Sequence, residues 1–376
     1  MIDSIVISLN ERQIHIPERI DFENVNIYKK SRGWSNESIV LDYNQRLKKK
    51  QVYAPSFEIL RSNRKNRKGK HIVSHKLKIQ VSLPKLLYGT NFFEIEPSDL
   101  NKITDKLLFH LSEIKIPATK DILLQGIVER VDFSKNLVLP TWAGRVNGLI
   151  NSLSRLDYKQ RSGFRYYLGN DNEGVYLVFY NVTQKFTVYD KLSEIEANGF
   201  TRVEQGIIDG FKKGNVQRDT IRFELSLMKK QSMEAVLRRY IGSKKKDFTL
   251  ADIMSVGLAK NVLLDTFSKV YPPEMVLLCG LMQRKNNVLE AMLDGSKIRL
   301  EKKALLIFLV NKLWEIGEKD LRKEIKSVYG KNKYYSLRKE VRTLANKIKK
   351  QGLGQANVIE FIRQELENFE LIIPKR

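Results

Sequence analysis

The sequence predicts an α+β fold: a mostly antiparallel central sheet with flanking helices, followed by an all-α, basic C-terminal domain. Two observations carry this. From Ile2 to Leu227, runs of alternating apolar and polar residues recur, separated by helical stretches and hairpin turns; from Gln231 onward the apolar spacing is helical throughout. A third sets the partner. A net charge of +24 favours a polyanion, with nucleic acid ahead of an acidic membrane surface. With 376 residues, 42% of them hydrophobic, the chain is long enough for two or three domains, each with its own core. Lys244-Lys245-Lys246 marks the expected boundary between domains 1–240 and 247–376.

Taken in order, Ile2–Leu9 alternates as a strand, and Glu11–Ser56 reads as short strands and loops. Between Arg46 and Lys78 there are twelve Lys or Arg and one acid, Glu58. Arg61–Lys70 is almost without apolar residues and is expected to be a solvated hairpin tip or loop. Its cations Arg61, Arg64, Lys65, Arg67 and Lys68 make either a plain solvated surface or an arm that grips phosphates.

His75–Ser82 alternates again, Ser98 is the expected cap of a helix Asp99–Ile114, and Asp121–Asn136 reads as a strand. A helix follows at Trp142–Leu156. Arg165–Gly169 and Val175–Tyr180 flank an Asn/Asp/Gly turn, and Val175–Val188 forms a second hairpin. Phe186–Tyr189 is a strand that tips into a helix at Lys191, which Gly199 interrupts. Lys212 and Lys213 lie in a basic connector before the strand Thr220–Leu227.

Helices are expected at Met233–Tyr240 and Leu250–Val270, then, past Pro272-Pro273, at Met275–Leu293, Leu300–Ile316, Asp320–Tyr329, Tyr335–Lys350 and Asn357–Phe369. Twelve Lys or Arg against three acids between Lys319 and Lys350 suggest a DNA-binding module, with Tyr334, Tyr335, Arg338, Arg342 and Lys349 along one docking helix. The alternative is an ordinary helical cap with a soluble basic face.

The single cysteine, Cys279, excludes a disulfide scaffold and a Cys-based zinc site. The longest apolar run, Ala304–Val310, is too short to cross a bilayer, so no membrane partner is expected. The N-terminus alternates like a strand without a basic leader, which predicts a cytoplasmic protein.

The chemistry concentrates in Phe186–Glu194, where a phenol (Tyr189), an ammonium (Lys191) and two carboxylates (Asp190, Glu194) lie within six residues. A nearby cation stabilises phenolate and lowers its pKa, so Tyr189 is a candidate nucleophile; cross-strand packing is the plainer role. Arg130 and Asp132 are two apart on one strand, as are Arg222 and Glu224 on another, so each pair shares a face. The two carboxylates are placed either to share a divalent cation or to be paired as cross-strand ion pairs, each arginine with its own or a neighbouring acid.

Five motifs in order carry a resemblance: Met-Ile-Asp at the start, Lys-Ile-Gln-Val-Ser-Leu-Pro-Lys-Leu-Leu-Tyr-Gly-Thr-Asn-x-Phe, Arg-Val-Asp-Phe, Phe-Thr-Val-Tyr-Asp-Lys-x-x-Glu, and Ile-Arg-Phe-Glu-Leu. Over residues 1 to 240 the chain resembles the gene II family of filamentous-phage replication endonucleases and, more distantly, the initiators of rolling-circle plasmids.

The resemblance implies a nicking–joining nuclease of the HUH-like class that joins a tyrosine to the 5′ phosphate of an origin strand and leaves a 3′ hydroxyl primer. It implies Tyr189 as nucleophile, with Lys191 supporting phenolate or the pentavalent phosphorus, and Asp132 and Glu224 as metal ligands or bases. Lys85, Arg130 and Arg222, lying in its motifs, join the basic residues above as expected DNA contacts. Origin DNA, single-stranded or supercoiled, is the implied partner, with a host helicase as a second.

The His-apolar-His pair that names the class is absent, and only His75 offers a lone ligand, so oxygen ligation of Mg²⁺ or Mn²⁺ is expected. Tyr180 stays open as the attacking group. Two alternatives stand beside the initiator: a conjugative relaxase with the same chemistry, and a DNA-binding regulator that cuts nothing.

Overall fold

In the computed structural model, ten strands form one sheet: β1 (Ile2–Asn10), β2 (Asn26–Ser31), β3 (Asn36–Asp42), β4 (Ser56–Lys65), β5 (His71–Ser82), β6 (Ile127–Val138), β7 (Arg165–Asp171), β8 (Gly174–Tyr180), β9 (Gln184–Asp190) and β10 (Thr220–Leu227). Their spatial order is β2-β3-β4-β5-β1-β6-β10-β9-β8-β7, each neighbouring pair antiparallel. The structure describes residues 1–10, 14, 26–31, 36–42, 44–65, 71–143, 145–154, 164–214, 219–242, 244–271, 300–330, 332–337, 339 and 358–374.

Alternation explains why the sheet has two unlike faces. Ile5, Ile7, Leu77, Ile79, Val131, Phe133, Phe223, Leu225, Phe186, Val188, Leu177 and Phe179 are buried together. The helices Val146–Ser154, Lys230–Ile241 and Val256–Val270 cover that face, and Val358–Asn368 packs on Val256–Val270. Phe223 stacks on Phe186 at 6.1 Å and meets Phe267 edge-on at 5.7 Å, so a helix beyond Lys246 shares the core of the sheet. Over the opposite face, at the Asp190 end, Phe92, Leu192, Ile195 and Ile208 form a small second cluster.

Several expected boundaries shift, each for a local reason. Arg61–Lys65 is strand rather than loop: β4 pairs with β5 down to Lys65 opposite His71, because backbone pairing asks little of a charged side chain at a sheet margin. The helix expected from Ser98 runs Leu100–Glu113 behind a 3₁₀ turn, and Glu96 with Asp99, not Ser98, makes the reciprocal cap. The start of the expected strand Asp121–Asn136 is instead the helix Lys120–Leu124, which Thr119 caps by accepting from Ile122 N. The helix expected at Trp142–Leu156 spans Val146–Ser154 behind a 3₁₀ turn, Thr141–Ala143.

Leu250–Val270 divides at Ser255, whose hydroxyl accepts from Leu258 N and starts a second helix. Lys212 closes a helix, Arg202–Lys212, where only a connector was expected. Leu300–Tyr329 breaks at Gly317, where φ is 80°, near the expected gap between two helices. Tyr334 is a core residue rather than a docking one, 4% exposed, its hydroxyl donating to Glu318 Oε1 at 3.1 Å. Met275–Leu293 and most of Tyr335–Lys350 lie outside the described residues, as do Arg67, Lys68, Arg338, Arg342 and Lys349. No described helix is long and apolar enough to cross a membrane.

Candidate active site

Strand register assembles the site. Tyr189 on β9 lies opposite Arg222 on β10, and Arg222 opposite Asn136 on β6. Glu224 lies opposite Thr187 and Ser134, and Ser226 opposite Lys185 and Asp132. Opposed residues share a face, so Tyr189, Arg222, Glu224 and Asp132 all stand on the face turned away from the main core. Asp190 ends β9 and caps the next helix, accepting from Leu192 N at 3.0 Å and Ser193 N at 3.3 Å. That cap starts the helix at Lys191 and brings its ammonium to 6.0 Å from the centroid of the Tyr189 ring.

The Tyr189 hydroxyl donates to Glu224 Oε2 at 3.1 Å. Arg222, 1% exposed, donates from Nη1 to the Asn91 carbonyl at 2.7 Å and to Asn136 Oδ1 at 3.3 Å. Its Nη2 lies 2.9 Å from Asp3 Oδ2 and its Nε 3.6 Å from Glu224 Oε2; both are ion-pair contacts that lack hydrogen-bond geometry. Asp3 gets there through an irregularity: the β1–β6 register shifts between Ile2 and Ser4, and such bulges re-aim side chains. Ser82 Oγ and Asn91 Nδ2 also donate to Asp3, at 3.2 and 3.4 Å. Lys191, fully buried, pairs with Glu194 and donates to Asn91 Oδ1 at 2.7 Å. Asn91 therefore ties Lys191, Asp3 and Arg222 into one network.

The electrostatics follow from burial and crowding. Burial, then the charges of Asp3 and Asp132, push the Glu224 carboxyl up to about 7, with Arg222 opposing. Burial alone would raise the Asp3 carboxyl, but Arg222 and Lys191 hold it below the usual range. Lys191 is itself lowered by burial. The Tyr189 phenol is pushed well above 10 by burial, reinforced by Glu224 and Glu194 and opposed by Arg222. The expectation of a phenol softened by a neighbouring cation is therefore not met in the free protein, because desolvation and the carboxylates outweigh it.

Residues 1–243 match the family described as the N-terminal region of the phage replication-associated protein encoded by gene II. The chain belongs to this family. No curated protein and no solved structure matches it. Membership makes the chain a gene II-type phage replication initiator, with DNA as its partner.

For an initiator of this family the remaining expected residues divide by position. Asp132, 4% exposed, accepts from Arg130 Nε at 3.2 Å and Nη2 at 3.0 Å, the ion pair that the sequence offered as one alternative. Burial raises its carboxyl despite Arg130. Lys85 sits 2.9 Å from the buried Glu204 Oε1, and Arg222 is buried among Asp3, Asn91 and Asn136; neither is a surface cation. Arg61 is exposed on β4 opposite His75, and Arg64 and Lys65 follow on the same strand. From the Tyr189 row, four residues along β6 lead from Asn136 to Asp132, and seven along β5 lead from Ser82 to His75. That is about 35 Å of strand rise, so this basic arm stands far from the phenol.

Among the described residues no group of three or more His, Cys, Asp or Glu is arranged to hold a metal. Asp132 and Glu224 stand on one face of neighbouring strands, and burial raises both carboxyls, the Asp132 charge adding to the rise at Glu224, a cost that a cation beside them would relieve. His75 is on β5, opposite Arg61 in the distant arm. Sequence reading assigned no role to Asp3, Asn91 or Asn136. The first two lie in the quoted motifs, but their link to Arg222 is long-range and has no local signal.

Proposed function

We propose that the chain nicks one strand of its replication origin by transesterification at Tyr189, as an HUH-like initiator without the histidine pair. The observation that carries this reading is the hydrogen bond from Tyr189 Oη to Glu224 Oε2, because Glu224 titrates near 7, where a general base works best. The Tyr189 oxygen attacks phosphorus while its proton passes to Glu224. The P–O3′ bond breaks, and the proton held by Glu224 becomes available to the departing 3′ oxygen. The products are a 5′-phosphotyrosine and a 3′ hydroxyl, and the reverse sequence rejoins the strand.

The residues around the phenol prepare it for an anionic substrate. Lys191 lies 6.0 Å from the ring centroid and Arg222 stands opposite Tyr189 on the next strand, so both bring positive charge to the phenol, and the buried Arg222 Nε–H and Nη2–H are without a hydrogen-bond acceptor. Asp132, together with the substrate phosphate, would hold Mg²⁺ or Mn²⁺, which when bound neutralises phosphate charge and leaves Glu224 free to act as the base. Tyr180 is a weaker candidate: it is 37% exposed, and its hydroxyl has no carboxylate acceptor among the described residues.

The test uses supercoiled plasmid carrying the element's own origin, with Mg²⁺ or Mn²⁺. Wild type is expected to leave a protein–DNA adduct whose DNA-bearing peptide contains Tyr189 by mass spectrometry. Tyr189→Phe is expected to bind the origin without nicking it. Nicking by Tyr189→Phe, or an adduct on Tyr180, overturns the assignment; binding without nicking by wild type favours the regulator.

A further inference from the structure

The face that carries Tyr189 continues beyond the site onto the hairpin β7–β8 at the edge of the sheet. Register puts Tyr167, Tyr176 and Tyr180 on that face, with Arg165 opposite Tyr180 and Lys185 of β9 opposite it on the other side. Tyr167 is 46% and Tyr180 37% exposed, and Arg165 and Lys185 are exposed as well. Tyr167 stands between its neighbours, its centroid 6.2 Å from Tyr176 at 84° and 5.8 Å from Tyr180 at 68°. Edge-to-face contacts fix ring orientation, so these are preformed surfaces rather than loose side chains.

The backbone is shaped to hold them. Gly169 faces Tyr176 across the pair, and a Cβ there would come within 2.1 Å of Tyr176 Cζ, so the glycine is what lets that ring lie across β7. The Tyr176 hydroxyl donates to Asp171 Oδ2 at 2.9 Å, which engages the acid at the turn. What remains outward is aromatic and cationic. Exposed clustered rings with cations beside them, Tyr167 two strands and two residues from Tyr189 and Tyr180 one strand and four residues from it, so about 12–14 Å away, match the flat faces and charged backbone of unpaired nucleotides.

We infer that the β7–β8 hairpin is a stacking platform on which Tyr167 and Tyr180 receive unpaired bases of a single DNA strand, its backbone passing Arg165 and Lys185 on the way to Tyr189. The inference rests on the proposed function for its partner and not for its chemistry. Stacking tolerates any base, so the platform would hold the strand beside the cut while sequence is read elsewhere.

The test is equilibrium binding in the Tyr189→Phe background, so that cleavage plays no part. The probes are an oligothymidylate of about 12 nucleotides and an abasic strand of the same length. Tyr167→Ala and Tyr180→Ala are each expected to weaken oligothymidylate binding about tenfold without changing the salt slope, and to leave abasic binding unchanged. Tyr167→Phe and Tyr180→Phe keep the ring and are expected to bind as the parent does, which separates stacking from folding. Lys185→Ala is expected to lower the salt slope instead. Alanine variants that bind like the parent overturn the platform. So does a parent that holds the two probes equally, or alanine variants that dissociate a dimer in sedimentation, since a second copy of the chain would then cover the face. Should these results hold while wild type forms no adduct, the platform stands and the nuclease reading falls.

Discussion

Tyr189 faces Arg222 across the β9–β10 pair, yet its hydroxyl reaches diagonally to Glu224 Oε2 at 3.1 Å. The diagonal sets the chemistry. A phenol donating to a carboxyl near pKa 7 has an acceptor for its proton at neutral pH, whereas a phenol facing only a guanidinium has none.

Glu224→Gln keeps the shape of the acceptor and removes its basicity. Nicking is expected to fall by about 10²–10⁴-fold, the range for a lost general base. In wild type the base must be unprotonated, so nicking is expected to rise with pH and level off above about 7; Glu224→Gln should lose that rise. Stability should move the other way. A carboxyl raised from 4.5 to about 7 contributes stability below its unfolded pKa and loses it as pH rises through about 7. Urea midpoints for wild type are expected to decline over that interval, and those of Glu224→Gln to decline less. Identical pH profiles for the two proteins would refute the assignment.

Asp3→Asn tests the anion beneath Arg222. Removing one partner of a buried ion pair typically costs about 3–5 kcal/mol, and the urea midpoint should fall accordingly. Asp3 is also the leading charge that raises Glu224. The pH at which nicking reaches half its maximum is therefore expected to shift downward in Asp3→Asn. A loss of stability with an unmoved pH midpoint would mean that Asp3 supports the fold without tuning the base.

These two residues mark the limit of what the chain declares. Tyr189, Lys191 and Glu194 are legible because they fall within one strand–helix junction, and Glu224 because it shares a period-two strand with Arg222. Most strands are legible for the same reason. Asp3 meets Arg222 only because β1 and β10 flank β6 and β1 is bulged, and no local pattern encodes that. The helix Arg202–Lys212 did carry a signal, the reciprocal cap of Thr201 and Glu204, which its basic end obscured.

Lys191 and Glu194 form a second buried pair, at 0% and 18% side-chain exposure. Lys191→Met leaves Glu194 without its cation and is expected to destabilise the protein by about 3–5 kcal/mol. Adding Glu194→Gln removes the stranded anion, so the double variant should cost less than the sum of the singles, with a coupling of about 0.5–3 kcal/mol. Denaturant titration of the four proteins measures it. Additive effects would show that Lys191 answers chiefly to Asn91 and the Tyr189 ring.

The arm on β4 separates binding from cutting. Arg61 lies about 35 Å of strand rise from the phenol, and Arg64 and Lys65 lie farther along the same strand, so they cannot contact the phosphate under attack. Replacing all three by Gln should weaken DNA binding at low salt. It should also flatten the plot of log affinity against log salt, by about 0.7 for each phosphate no longer neutralised on a single strand and about 0.9 on a duplex. At saturating protein the first-order nicking rate should not change. A reduced rate at saturation would tie the arm to the chemistry, and an unchanged salt slope would leave its cations as plain solvated surface.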